Sequence, residues 1–151
     1  MSKAFTKEDV DPPERPGRVR SASGLPPGAT NYITSAGRKR LEGELAKLGR
    51  SSRDHAERIA EIERILGSVT IVDPPEDPGR AIGFGARVTL RDEANQLKTY
   101  RILGVDEVGF DSDGVSWISS LGRTLLAAEL NDRIATDEIG AATIVKVEYP
   151  A

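Results

Sequence analysis

Hydrophobic residues recur every three to four positions in two short stretches and then at alternate positions further on, so a helical hairpin is expected before a β-rich module. In the first stretch Leu41, Leu45 and Leu48 fall at i, i+4 and i+7. Thr34 or Ser35 stands where a side-chain oxygen caps the opening turn. After Gly49-Arg50-Ser51-Ser52 a second stripe of Ile59, Ile62 and Leu66 follows Asp54 and Glu57, which have the spacing of a capping-box-like start. Each stripe needs a partner, and the short connection between them predicts an antiparallel pair. Each helix is expected to run for about 15 residues, an arm of about 22 Å. Its remaining positions, among them Arg38, Lys39, Glu42, Glu44, Arg58, Glu61 and Arg64, mix both signs as a solvated coiled-coil surface does.

Residues 1–30 precede the hairpin with Pro12-Pro13, Pro16-Gly17 and Pro26-Pro27-Gly28, which interrupt any helix. Arg15, Arg18 and Arg20 are offset there by Glu8, Asp9, Asp11 and Glu14, and the segment reads as a solvated, mobile tail. The hairpin unit is placed at 31–71. Asp73-Pro74-Pro75-Glu76-Asp77-Pro78-Gly79 makes 72–79 a stiff linker, and 80–151 becomes the C-terminal domain. Within it Ala86, Val88 and Leu90 alternate with Arg87, Thr89 and Arg91, and Leu97–Leu103 is a second run, so the two form a β-hairpin. Asp111-Ser112-Asp113-Gly114 marks a turn; 115–118 is expected as a short strand, 121–130 as a short helix and 143–149 as a closing strand. The expected class is α+β, a short antiparallel helical hairpin followed by a small antiparallel sheet packed on a short helix.

Composition narrows the chemistry. A chain of 151 residues supports about one globular domain with an appendage. The net charge of -3 offers no strong general attraction for phosphate backbones. There is no Cys and His55 is the sole His, which removes thiolate chemistry, the usual zinc ligand sets and Ser-His or Cys-His catalysis. The expectation is a non-enzymatic protein with no metal and no cofactor. No apolar run is long enough to span a bilayer and residues 1–11 lack a signal core, so a cytoplasmic location is expected by default. Asp111, Asp113 and Gly114 form part of a calcium-loop pattern without its later bidentate Glu, and read as a solvated turn. Trp117 and Tyr100 are candidates for a peptide pocket, but with aromatics at 5% of the chain they are also needed by the core.

Several fragments together resemble the Gre transcript-cleavage and elongation factors of bacteria. They are Asn31-Tyr32-Ile33-Thr34-x-x-Gly37, Phe84-Gly85-Ala86-x-Val88-Thr89-Leu90, Thr99-Tyr100-Arg101-Ile102-x-Gly104-x-Asp106-Glu107 and Leu121-x-Arg123-x-Leu125-Leu126, and the opening Met1-Ser2-Lys3-Ala4-Phe5-Thr6 looks like that of the GreB-type branch. The resemblance implies an FKBP-like C-terminal domain docked on RNA polymerase beside its secondary channel, with the arm directed inward. It also implies nucleic-acid contact only through the transcription complex, and no membrane.

In that family two neighbouring acids at the arm tip, with an Asn and an aromatic, help hold a second magnesium that activates water against the backtracked transcript. Here the tip carries Arg50, Arg53 and Asp54 with Glu57 beyond, and the distal arm with its acidic pair is missing. Asp54 and Glu57 fit the positive end of a helix dipole better than a metal site. The shortened arm also resembles the regulator of nucleoside diphosphate kinase, a small relative that binds polymerase without a cleavage tip. The resemblance assigns docking to the turn Ile118, Ser119, Ser120, Leu121, Gly122 and Arg123, where Ile118 and Ser120 replace the family's usual acid and Pro. Three functions follow as expectations: a noncatalytic polymerase-binding regulator that competes with full-length Gre factors, a cleavage-stimulating factor using Asp54 and Glu57, and a peptide-binding or prolyl isomerase module.

Overall fold

A computed structural model describes residues 25–26, 28–49 and 55–150. The chain enters through β1 (Asn31–Ile33) and passes directly into α1 (Ser35–Leu48). Thr34 caps α1, its hydroxyl accepting from the Gly37 N–H at 3.0 Å. The second helix, α2 (Ala56–Ser68), has His55 at its N-cap with no side-chain cap bond, so the expected capping box is not the device that opens it. β2 (Val69–Ile71) follows without a break and pairs in parallel with β1, Asn31 opposite Val69 and Ile33 opposite Ile71. This small sheet was not expected, because three residues are too few to display a period of two. Parallel strands need a long crossover, and here the helical hairpin itself supplies it.

Inside the hairpin Ile33, Leu41, Ile62 and Ile65 are buried, with Leu45, Leu48, Leu66 and Val69 packed around them. The inward stripe of α2 thus turns on Ile62 and Ile65, while Ile59 is half-buried. Arg58 donates to both oxygens of Glu44 across the helix pair, at 2.7 and 2.8 Å, and to Glu61 at 2.6 Å. The Arg58 guanidinium holds the Glu44 carboxyl below its ordinary range. Both side chains remain about one-third exposed, so the pair aligns the helices more than it stabilises them.

The C-terminal module contains β3 (Arg87–Asp92), β4 (Leu97–Leu103), a 3-10 turn (Val108–Phe110), β5 (Gly114–Ser116), α3 (Ser120–Leu126), β6 (Arg133–Thr136) and β7 (Gly140–Glu148). The strand order is β5-β4-β3-β7-β6. The β3–β4 hairpin turns on Asp92, whose carboxylate accepts from the Ala94 and Gln96 N–H groups at 2.9 Å, with Asn95 at φ 63°.

Two expectations need correction. The sheet is mixed rather than antiparallel, because β5 pairs in parallel with β4. The intervening loop, 3-10 turn and Asp111-to-Gly114 turn carry the chain back so that it re-enters in the same direction. β6 was not foreseen, and α3 stops at Leu126 rather than 130. The residues beyond it join the sheet margin: the Leu130 N–H donates to the Arg80 carbonyl and the Asn131 N–H to the Ile144 carbonyl, with Asn131 at φ 78°.

Val88, Leu90, Ile102, Leu125 and Ile144 fill the main core, and Tyr100 and Trp117 pack against it. No helix among the described residues is long and apolar enough to cross a membrane. Among those residues no group of three or more His, Cys, Asp or Glu is placed to hold a metal ion.

Candidate functional site

The turn that opens α3 is built from its own side chains. Ser119 caps the helix, accepting from the Gly122 N–H at 3.0 Å while its hydroxyl donates to the Ser116 carbonyl at 2.7 Å. Any side chain at Gly122 would overlap that same carbonyl oxygen, so the turn and β5 sit backbone against backbone. Leu121 is buried in the core beside Leu125. Ile118 is half-buried, and Ser120 and Arg123 are exposed. The six predicted docking residues therefore divide: Ile118, Ser120 and Arg123 offer a surface, while Ser119, Leu121 and Gly122 hold its shape. Replacing Ser119 by alanine is expected to lower stability by about 1 kcal/mol through loss of the cap, read as a shifted urea midpoint at unchanged slope.

Of the predicted tip residues, Arg50, Arg53 and Asp54 lie outside the described residues. Glu57 is in the first turn of α2 and exposed. In that place it faces the positive end of the helix dipole.

A third constellation, built from residues of the Asn31–Gly37 and Gly104–Glu107 motifs, joins the arm to the C-terminal module. Glu107, 2% exposed, accepts from the Thr34 N–H at 2.9 Å, the Thr34 hydroxyl at 2.5 Å and the Gly104 N–H at 2.9 Å. Asn31 donates to Asp106 at 2.8 Å. A side chain at Gly37 would overlap the Glu107 carboxylate, and one at Gly104 would overlap the Tyr32 carbonyl oxygen. Tyr32 meets the Trp117 ring edge-on at 5.1 Å and lies 5.9 Å from the Phe84 ring. Arg40 of α1 lies over the Phe110 ring at 4.7 Å. Burial pushes the Glu107 carboxyl above its ordinary range, while the Thr34 and Gly104 donors pull it back. The available signal was the pairing of two motifs, Asn-Tyr-Ile-Thr-x-x-Gly and Gly-x-Asp-Glu, whose polar residues had no obvious local partner.

Comparison with known proteins assigns the family. Residues 77–149 match the family model described as transcription elongation factor, GreA/GreB, C-term. A transcription elongation factor GreA of Agrobacterium fabrum is 30% identical over 117 residues, covering 73% of this chain and 74% of that protein. The chain belongs to the GreA/GreB family. Among other members, GreA of Sinorhizobium medicae is 29% identical over 76% of this chain and 77% of its own length. GreA of Acidiphilium cryptum is 33% identical over 84 residues, and the matched region spans only 54% of that protein. Among solved structures, the GreA/GreB factor of Nitrosomonas europaea aligns with 79% of this chain and 99% of its own at 23% identity, with a TM-score of 0.42. The matched region of this GreA/GreB-family chain thus takes in Glu107 and the α3 turn, while Glu107's partner Thr34 lies before it.

Proposed function

We propose that this GreA/GreB-family protein binds bacterial RNA polymerase at the rim of the secondary channel and regulates elongation without stimulating transcript cleavage. The C-terminal module, read as FKBP-like, docks through the half-buried Ile118 and the exposed Ser120 and Arg123 of the α3 turn. Nucleic acid is met only indirectly, through the transcription complex. The observation that carries the noncatalytic part is arm length. α1 has 14 residues and α2 has 13, an arm of about 21 Å, and the connecting sequence places a single acid, Asp54, next to Arg53. A pair of carboxylates at a tip is what a second magnesium would need. The junction at Glu107 fits the same reading, since its buried hydrogen bonds tie the base of this short arm to the C-terminal module.

The test is a paired assay on stalled, backtracked bacterial elongation complexes. Transcript cleavage is expected to stay at the factor-free rate, while cleavage driven by a full-length Gre factor falls as this protein is added. Cleavage that rises with this protein and disappears in an Asp54→Asn, Glu57→Gln variant would overturn the noncatalytic reading.

A further inference from the structure

A cavity of about 350 Å³ lies between the base of the arm and the C-terminal module, and neither the docking turn nor the arm tip uses it. Its walls come from both parts of the chain: Lys39 from α1, Val72 from the segment after β2, and Phe84, Arg101, Tyr149 and Pro150 from the C-terminal module. Its volume is within the range of about 300–1,000 Å³ usual for small-ligand sites. Most of the wall is apolar. Among the described residues that line it, Lys39 and Arg101 are the charged ones and none is acidic.

Arg101 is poorly compensated where it stands. Its side chain is 12% exposed, yet the nearest Asp111 oxygen is 3.8 Å away. Its bonds to the Gly85 and Pro150 carbonyls are both long, at 3.4 Å. Asp111 is closer to Arg87, at 3.2 Å, and Arg87 lies directly opposite Arg101 in the β3–β4 ladder. Arg87 Nε is itself buried with no acceptor. Glu148 lies opposite Arg87 on the other side but pairs with Lys146 at 3.6 Å. Two guanidinium groups therefore share Asp111, on a ladder where directly opposed like charges destabilise, while Glu107, whose charge Arg101 also feels, is already engaged by Thr34 and Gly104. A charge so far removed from water calls for a closer counter-ion.

We propose that this cavity binds a small ligand combining an anionic group with a flat apolar ring, of the nucleoside monophosphate class. The phosphate is placed between Lys39 and Arg101, where charge-assisted hydrogen bonds are strongest. The base and sugar lie against Phe84, Tyr149, Val72 and Pro150, which a bare inorganic ion would leave unoccupied. Such a ligand touches the arm and the C-terminal module at once and stiffens their junction. The inference does not rest on the polymerase-docking reading, since binding to the isolated protein is sufficient to test it.

The test is calorimetric titration of the full chain with each of the four ribonucleoside monophosphates, with inorganic phosphate and the matching nucleosides as separate arms. At least one monophosphate is expected to bind, and to bind about tenfold or more tightly than its nucleoside or phosphate alone. Lys39 is exposed, so Lys39→Gln keeps the fold and is expected to weaken that binding about tenfold. Arg101→Gln is expected to abolish it, with circular dichroism reporting whether that variant has folded. Absence of binding by all four monophosphates at millimolar concentration, equal binding by phosphate alone, or binding unchanged in Lys39→Gln would each overturn the assignment.

Discussion

Glu107→Ala is expected to lower stability by about 3 kcal/mol and the melting temperature by about 10 °C. The change strips acceptors from the Thr34 and Gly104 N–H groups and from the Thr34 hydroxyl, all buried at the junction. An unmade buried bond costs more than a made one contributes, which is why the loss exceeds that of an ordinary hydrogen bond. Glu107→Gln keeps one acceptor oxygen but turns an NH2 toward a donor, and is expected to fall between alanine and wild type. The same site gives a pH signature. Burial raises the folded-state pKa of Glu107, so the folded chain holds this proton more tightly than the unfolded one. Its contribution is full below the ordinary carboxylate range and is lost as pH rises through the raised value. Wild-type stability measured against Glu107→Gln should therefore decline with rising pH across that window and level off above it. A difference that grows with pH would mean that the donors outweigh burial and that the carboxylate is the favoured form.

Gly104→Ala is the second large effect. Its Cβ would overlap the Tyr32 carbonyl oxygen and approach Glu107 Oε2 to 3.1 Å. Since the first contact is backbone rather than the flexible end of a side chain, β1 must move away from the C-terminal module. A loss of about 3 kcal/mol is expected, at the upper end of overpacking effects. Gly104 and Glu107 act on one interface, so the double variant Gly104→Ala, Glu107→Ala should lose less than the sum of the single losses. Thermal unfolding of the four proteins measures this coupling, and strict additivity would show that the two residues stabilise separate features.

These effects fall where local sequence patterns say least. The helical arm was legible because Leu41 and Ile62 belong to apolar stripes of helical period, and the β3–β4 hairpin was legible because Leu97–Leu103 follows turn-forming residues. The β1–β2 pair was not, since three-residue strands carry no readable period and their partner is a helical hairpin away. The direction of β5 was equally hidden, because Gly114–Ser116 says nothing about how the preceding loop turns. Of the candidate docking turn, Leu121 and Arg123 were in the resemblance motif, but the division between exposed and supporting residues needed coordinates. The role of Glu107 was not legible in the sequence, because its partner Thr34 and the Gly37 it packs against are some 70 residues away.

Docking by the α3 turn is tested most directly by binding to bacterial core RNA polymerase. Wild type is to be titrated beside Ile118→Glu and Arg123→Glu, with circular dichroism confirming that each is folded. Neither change touches the Ser119 cap or the buried Leu121, so the fold should survive both. The predicted result is measurable wild-type binding that each charge change weakens by about tenfold or more. Wild-type binding left unchanged by both variants, or no binding by the wild type, would contradict docking by the α3 turn.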